Sequence, residues 1–311
     1  MTYLETYTSS LNNSSLSDSI TTTAKSVVSN IESRFDFTEP LTGLLLGNVQ
    51  SGKTGQMLGV ISHLADKGYR IFLLLTTDNI DLQRQTYNRV KSALTSFTVL
   101  SESDVVLFNP HNLIKPIVIV LKKNASVLRK WGNLLMTYQL NTGLCLTIFD
   151  DEADAASLNT LVNRNRTSTI NKHLQKIKDT ASSSLYLEVT ATPQSIILQT
   201  VMSGWKPAFI NYFKPGKDYL GGNFFYSNPT SYCIRFTSEN ELDEISEDGD
   251  ILCPEGLRKG IVSFLVVCAY KKIKGETNCN FMIHPSVRIS IHKKFVECVQ
   301  EYLPEFGISL E

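Results

Sequence analysis

The sequence has no excess of charge of either sign and no apolar run long enough to cross a membrane. Its 30 basic residues balance 30 acidic residues in a chain of 311. A bilayer-spanning helix needs about 20 consecutive apolar residues, and the N-terminus lacks the basic start and apolar centre of a secretory signal. No membrane partner is therefore predicted, and a nucleic acid would have to bind a local basic patch rather than a global positive field.

Closely paired cysteines are also missing. The chain has six cysteines and five histidines, and no two cysteines form a C-x-x-C pair. This spacing speaks against a structural zinc site and against a disulfide framework. It favours buried thiols in a reducing compartment, so the predicted location is the cytoplasm.

From Leu41 onwards the sequence alternates between apolar stretches and amphipathic helical patterns. The apolar stretches are hydrophobic at nearly every position, which is typical of parallel strands that are covered on both faces. We therefore predict an α/β fold with a mostly parallel sheet and helices on both faces. The strand-like stretches are LTGLLLG, YRIFLLLT, VVLFN, PIVIVLKKN, CLTIFDDE and SLYLEVTATP.

Composition divides the chain into four predicted parts. Residues 1–40 are rich in Ser, Thr and Asn and contain one helical stretch, TTAKSVVSNIESRF, whereas residues 41–236 hold the alternating strands and helices. Residues 237–255 are acidic and indicate a linker. Residues 256–311 start a second α/β domain, with a helix over GLRKGIVSFLVVCAYKKIKG and a strand over CNFMIHPSV. A complete second domain needs about 100 residues or more, so we expect this one to be incomplete.

The strongest motif is a phosphate-binding loop. Residues 47–54, GNVQSGKT, match G-x-x-x-x-G-K-[ST] at every fixed position, between a predicted strand and a predicted helix. In such a loop the backbone N–H groups and the helix N-terminus surround phosphate oxygens, while the lysine reaches the β- and γ-phosphates and the hydroxyl binds Mg²⁺. The alternative is a glycine-rich turn with a chance lysine. The predicted nucleotide-binding residues are Gly47, Gln50, Ser51, Gly52, Lys53 and Thr54.

Four acids follow a predicted buried strand about 100 residues after this loop: Asp150, Asp151, Glu152 and Asp154. Clustered like charges repel unless a cation balances them, and the carboxyl ends of parallel strands share one edge of the sheet. We therefore expect the acids to lie near the phosphate loop. Asp151 is predicted to hold Mg²⁺, with Asp150 as the alternative, and Glu152 to orient the attacking water. A solvated acidic loop is the competing interpretation.

Three motifs occur in the order found in superfamily 2 helicases. GNVQSGKT, then DEAD at 151–154, then TATP at 190–193 resemble motifs I, II and III of that superfamily. The resemblance implies a P-loop NTPase of the RecA-like class that binds ATP and Mg²⁺. It further implies that the third motif couples nucleotide state to nucleic-acid engagement. The residues it implies are Lys53, Asp151 and Glu152 for catalysis, Thr54 and Asp151 for the metal, and Thr190, Ala191 and Thr192 for coupling.

A closer resemblance, over residues 43–290, is to the Z-1 domain proteins. These are bacterial and phage helicase-like ATPases to which endonuclease activity has been ascribed. The matching stretches are GNVQSGKT, LQRQT, VLKKN, DDEADAASLN, TATPQ, YLGGNFFY, LRKGIVSFLVVCAYKKIKG and MIHPS. This resemblance implies a DNA-directed role in a restriction-like or phage-defence system, with a nuclease or another defence subunit as partner.

The sequence departs from the superfamily pattern in one respect. Superfamily 2 motors close ATP between two RecA-like domains and take arginine fingers from the second domain. The chain ends soon after MIHPS, so we expect that motif to be missing and hydrolysis to be inefficient without it. No paired Asp…Glu-x-Lys set occurs, so endonuclease activity has no support within these residues.

Two stretches match, by position, the loops with which superfamily 2 first domains touch the nucleic-acid backbone. Short polar side chains and lysines suit sequence-independent phosphate contacts, although ordinary solvated surface is the alternative. The first stretch comprises Thr76, Thr77, Gln85 and Thr86, and the second comprises Lys122, Lys123 and Asn124. A further basic stretch indicates a solvated helix face and comprises Arg164, Arg166, Lys172, Lys176 and Lys178.

These observations favour an ATP-dependent motor domain that acts on DNA. Two alternatives stay open at this point. The first is an ATP-dependent conformational switch that licenses a separate nuclease without translocating. The second is a scaffold that has kept the fold and lost the activity. The intact phosphate loop and acids argue against this second alternative.

Overall fold

The structure, a computed structural model, describes most of the chain in two compact units, Met1–Gly221 and Gly222–Glu311. Two groups of sequence assignments lie outside the described residues: Arg164 and Arg166, and most of the acidic linker over 237–255. The predicted domain boundaries therefore stay predictions. The described residues are 1–111, 113–138, 145–157, 168–181, 183–203, 206–217, 219–227, 234–238, 241, 253–276, 278–286 and 288–308.

A seven-stranded sheet forms the centre of the first unit, and its strand pairs are all parallel. The strands are β1 (Leu41–Leu46), β2 (Ile71–Thr76), β3 (Thr98–Ser101), β4 (Ile117–Lys122), β5 (Cys145–Asp151), β6 (Ser183–Thr190) and β7 (Phe209–Tyr212). Their order is β3-β4-β2-β5-β6-β1-β7. Strands β2 and β6 are buried at every position, as expected for a parallel sheet with both faces covered. The predicted α/β fold, a parallel sheet with helices on both faces, is confirmed.

Helices cover both faces of this sheet. They are α1 (Tyr3–Ser9), α2 (Ser14–Glu32), α3 (Lys53–Asp66), α4 (Ile80–Ala93), α5 (Ala125–Thr137), α6 (Ala153–Ala156), α7 (Thr169–Lys178) and α8 (Gln194–Ser203). Helices α1 to α4 share one hydrophobic core with one face of the sheet. Helices α5 and α7 pack together over the other face, around the buried Trp131.

The N-terminal segment is part of the first core. The predicted single helix is longer than expected, because α2 starts at Ser14, where the Asn13 side chain accepts a hydrogen bond from the Leu16 amide and caps it. Helix α2 buries Ile20 against α3. A Cβ on Gly59 of α3 would come within 2.3 Å of the Ile20 side chain, so a glycine at that position permits this close approach.

Some sequence assignments differ from the structure. VVLFN was predicted as a strand, but Val105–Leu107 form a 3₁₀ turn in which Val106 is 96% exposed, so its apolar run is not buried in the sheet. The short strands β3 and β7 were not predicted. They lie at the two edges of the sheet and are half exposed, so they lack the continuous apolar signal of the central strands.

In the described part of the second unit, the regular secondary structure is helical. Its elements are α9 (Gly222–Tyr226), α10 (Glu255–Ile273), α11 (Ile289–Tyr302) and a 3₁₀ turn (Leu303–Phe306). The predicted helix over GLRKGIVSFLVVCAYKKIKG is confirmed as α10, whereas residues 279–286, predicted as a strand, form none. Across the described parts of the chain, no helix combines the length and apolarity needed to span a membrane.

Candidate nucleotide-binding site

The loop between β1 and α3 has the backbone of a phosphate cradle. Gln50 and Gly52 both adopt left-handed conformations, with φ of 56° and 85°. No atom lies within 4 Å of a Cβ placed on Gly52, so its backbone conformation, and not space, calls for glycine there. A non-glycine residue with positive φ, such as Gln50, is uncommon and is concentrated at functional sites.

Several hydrogen bonds hold this loop closed. The backbone N–H and hydroxyl of Ser51 donate to the Asn48 carbonyl at 3.2 and 2.7 Å, and Lys53 Nζ donates to the same oxygen at 3.3 Å. Lys53 is the first residue of α3, so the helix N-terminus and the lysine both face the loop. The ammonium group is held by a weak contact that phosphate oxygens can replace.

Two tyrosines that sequence reasoning missed hold the loop from outside. The Tyr212 hydroxyl donates to Asn48 Oδ1 at 3.1 Å, and the Tyr219 hydroxyl donates to the Val49 carbonyl at 2.6 Å. Tyr219 lies in YLGGNFFY, one of the stretches on which the Z-1 resemblance rests. That resemblance was the one sequence signal that could have pointed to Tyr219. Tyr212 ends the unpredicted edge strand β7 and had no such signal.

The phosphate loop and the acids lie at the same edge of the sheet. Strand β6 lies between β1 and β5, and the three strands end level, with Leu46 paired to Thr190 and Asp151 paired to Val189. The Gly47 amide donates to the Thr190 carbonyl at 3.2 Å, which ties the start of the loop to the end of β6. All three motifs therefore meet at the carboxyl edge, where ligands bind in folds of this class.

Asp151 provides a carboxylate suited to a hard cation. Its side chain accepts no hydrogen bond from any described residue, and burial raises the pKa of this carboxyl to about 6, with a further increase from the charge of Glu152. The charges of Lys123 and Lys53 oppose this increase. The Thr54 hydroxyl likewise makes no hydrogen bond within the described part of the chain.

This donor set fits Mg²⁺ bound together with a nucleotide. The described residues contain no group of three or more His, Cys, Asp or Glu side chains that could hold a metal by themselves. Mg²⁺ is usually bound by one or two protein oxygens and by substrate phosphates, rather than by a full cage of protein ligands. The Asp151 carboxylate and the Thr54 hydroxyl are two oxygens of the kind that Mg²⁺ takes from a protein.

Asp150 is not available as the alternative metal ligand. Its side chain is fully buried, Lys123 Nζ lies 3.1 Å from Oδ1, and the Tyr186 hydroxyl donates to Oδ2. Both carboxylate oxygens are therefore already occupied. The prediction that Lys123 contacts nucleic acid is wrong for the same reason, because its ammonium group is buried against Asp150 and cannot reach a phosphate outside.

Asp154 connects the acids to the third motif. The hydroxyls of Thr190 and Thr192 donate to its two carboxylate oxygens at 2.5 and 2.6 Å, and Ala191 lies between them in the chain. Burial acts to raise the pKa of Asp154, but these hydrogen bonds lower it below its ordinary value. These two hydrogen bonds connect the start of α6, just after β5, to the end of β6.

The other residues predicted to touch nucleic acid lie in mixed environments. Gln85 is exposed and Thr86 half-buried on α4, whereas Thr76 is buried at the end of β2. Lys122 pairs with Glu102 at 3.4 Å. Asn124 caps α5 with its side chain, which also donates to Asp78 at 2.9 Å.

The basic stretch on α7 is only in part a solvated face. Lys172 and Lys176 are exposed, as predicted for such a face. Lys178 is buried, with its ammonium group 4.0 Å from the centre of the Tyr186 ring, so the interpretation as solvated surface is wrong for this residue.

Two sequence comparisons give no match for this chain. No protein-family model matches it, and no curated protein sequence matches it. The resemblance to the Z-1 domain proteins therefore stays a prediction.

Solved structures give distant likenesses. The helicase domain of Hef from Pyrococcus furiosus is 13% identical with a TM-score of 0.40, over 89% of this chain and 53% of that one. The DUF1998 helicase MrfA bound to DNA and AMPPNP is 14% identical with a TM-score of 0.39, over 67% and 30%. The genome packaging NTPase B204 from Sulfolobus turreted icosahedral virus 2, in complex with ATP-gammaS, is 16% identical with a TM-score of 0.31, over 49% and 64%. At these values the fold assignment rests on the strand order and loop geometry described above.

Proposed function

We propose that the protein binds and hydrolyses ATP with Mg²⁺ and that it is a superfamily 2 helicase-like motor domain acting on DNA. The observation that carries this proposal is the position of Lys53 and Asp151. The loop that ends in Lys53 and the strand that ends in Asp151 reach the same edge of the sheet, with only β6 between them.

Each site residue has a distinct proposed role. Backbone N–H groups of the loop over 47–52 and the N-terminus of α3 would hold phosphate oxygens, and Lys53 would bind the β- and γ-phosphates. Thr54 and Asp151 would hold Mg²⁺, which when bound neutralises charge that develops on the phosphates. Glu152 is exposed beside Asp151 and would orient the attacking water.

Coupling to DNA would run through the third motif. Loss of the γ-phosphate would change the charge beside Asp151, and Asp154 is three residues further along the chain, in α6. Because Asp154 holds Thr190 and Thr192, we propose that this change moves the end of β6. The proposed backbone contacts to DNA are made by Gln85, Thr86, Lys122 and Asn124. A phage-defence role, a nuclease partner and a cytoplasmic location are proposed from the resemblance and from composition alone.

The test is ATP turnover by the purified protein with and without DNA. We expect DNA to raise the turnover rate several-fold, and rising salt to weaken this stimulation because backbone contacts release counterions. A Lys53→Ala variant measured alongside identifies contaminating ATPase activity. Turnover that is indifferent to DNA at low salt would contradict the motor and favour the ATP-dependent switch.

A further inference from the structure

One buried lysine lies directly behind the turn that carries the acids. Lys123 follows β4, and its side chain is completely buried. Its Nζ donates to Asp150 Oδ1 at 3.1 Å, to the Asp151 carbonyl at 2.7 Å and to the Glu152 carbonyl at 2.8 Å. An ammonium group has three donors, so all three are used inside the protein.

The three hydrogen bonds do different things. The bond to Asp150 balances a buried positive charge, which would be strongly unfavourable without a partner. The other two bonds fix the peptide groups of Asp151 and Glu152, the two residues assigned to the metal and to the water. A buried ammonium group needs acceptors for its other two protons as well, and here these acceptors are the carbonyls of the two residues that carry the proposed chemistry.

The turn that Lys123 holds is conformationally demanding. Glu152 has a φ of 53°, a left-handed conformation that side-chain-bearing residues adopt only where the surroundings over-determine it. Lys123 is itself fixed, because its amide donates to the Thr76 carbonyl at 2.8 Å. Asp150 is held a second time by the Tyr186 hydroxyl. Hydrogen bonds therefore fix the position of this turn relative to the ends of β2 and β4 and to the middle of β6.

We propose that Lys123 is a positioning residue of the ATPase site. By holding the carbonyls of Asp151 and Glu152 it sets the directions in which those two carboxylates project towards the nucleotide. This proposal rests on the proposed ATPase function. It assigns to Lys123 an internal role in place of the external phosphate contact that the sequence suggested.

The test uses a variant that removes the lysine without leaving a buried charge. Lys123→Met combined with Asp150→Asn replaces both charged groups by neutral ones of similar size, which buried ion pairs often tolerate. We expect this double variant to fold and to keep the wild-type KM for ATP, while kcat falls roughly 10- to 100-fold because the catalytic carboxylates are misplaced. Thermal unfolding and steady-state kinetics supply both readouts.

Asp150→Asn alone separates positioning from folding. It leaves Lys123 with its two carbonyl contacts but with an uncompensated charge, so we expect lower thermal stability and a kcat close to that of the wild type. A matched control removes the surface pair of Glu32 and Lys67, which lie 2.7 Å apart, by Glu32→Gln with Lys67→Met. That control is expected to leave kcat unchanged.

Several outcomes would overturn the proposal. A folded double variant with wild-type kcat would do so. A folded Asp150→Asn variant whose kcat falls as far as that of the double variant would also overturn it. The fall in kcat would then come from loss of the buried ion pair, since this variant keeps the contacts of Lys123 to the two carbonyls. A wild-type protein without any ATP turnover would overturn the proposed function together with this role, whereas turnover that survives the double substitution overturns this role alone.

Discussion

Lys53→Ala is expected to reduce ATP turnover by about 10²- to 10³-fold and to weaken ATP binding. The wild-type ammonium group lies at the N-terminus of α3 and is held only by a 3.3 Å contact to the Asn48 carbonyl, so it is free to move onto phosphate oxygens. Alanine removes the positive charge and leaves the helix intact. Turnover is measured by phosphate release, and binding by the thermal shift that an ATP analogue produces.

The control for this prediction is Lys67→Ala. Lys67 follows the other end of the same helix and pairs with Glu32 on the surface, so its loss is expected to leave turnover unchanged. A Lys53→Ala protein that is folded and retains both ATP affinity and turnover would contradict the assignment of the phosphate loop.

Glu152→Gln is expected to lower turnover by about 10²-fold or more while ATP binding is retained. The Glu152 side chain is exposed and makes no hydrogen bond to a described residue, so the neutral isostere should not disturb the fold. It removes the carboxylate that would orient and activate the attacking water. A fluorescent ATP analogue gives the affinity, and single-turnover hydrolysis gives the rate.

A second surface glutamate serves as the comparison here. Glu39 is exposed and lies outside the site, so Glu39→Gln is expected to behave like the wild type. Equal hydrolysis rates in Glu152→Gln and the wild type would exclude Glu152 from the chemical step, and a large loss of ATP affinity would assign it to binding instead.

The central fold could be predicted from sequence because its signals are local. Strands such as β2 and β6 are continuous apolar runs, and the loop over 47–54 carries its fixed residues within eight positions. The rule that parallel strands share a carboxyl edge then places the loop and the acids together. Strands β3 and β7 were not predicted because they are short, half-exposed edge strands and therefore lack a continuous apolar run.

The site's internal contacts could not be predicted in the same way. Lys123 and Asp150 are 27 residues apart, and nothing in the sequence distinguishes a lysine that turns inwards after a strand from one that faces solvent. The same contact decides between Asp150 and Asp151 as the metal ligand. In a run of acids, the sequence does not show which side chain is paired inside the protein and which one faces the site. Tyr212 and Tyr219 depend on pairings over more than 160 residues.

The most direct test of the nucleotide site measures how far Mg²⁺ strengthens binding. The dissociation constant of a non-hydrolysable ATP analogue is measured by calorimetry in Mg²⁺ and in EDTA, for the wild type and for Asp151→Asn. If Asp151 holds the metal beside a triphosphate on the Lys53 loop, Mg²⁺ tightens binding to the wild type and loses most of that effect in the variant. Binding in EDTA should not weaken, because removing a negative charge relieves repulsion from the phosphates. An equal strengthening by Mg²⁺ in both proteins would contradict the account.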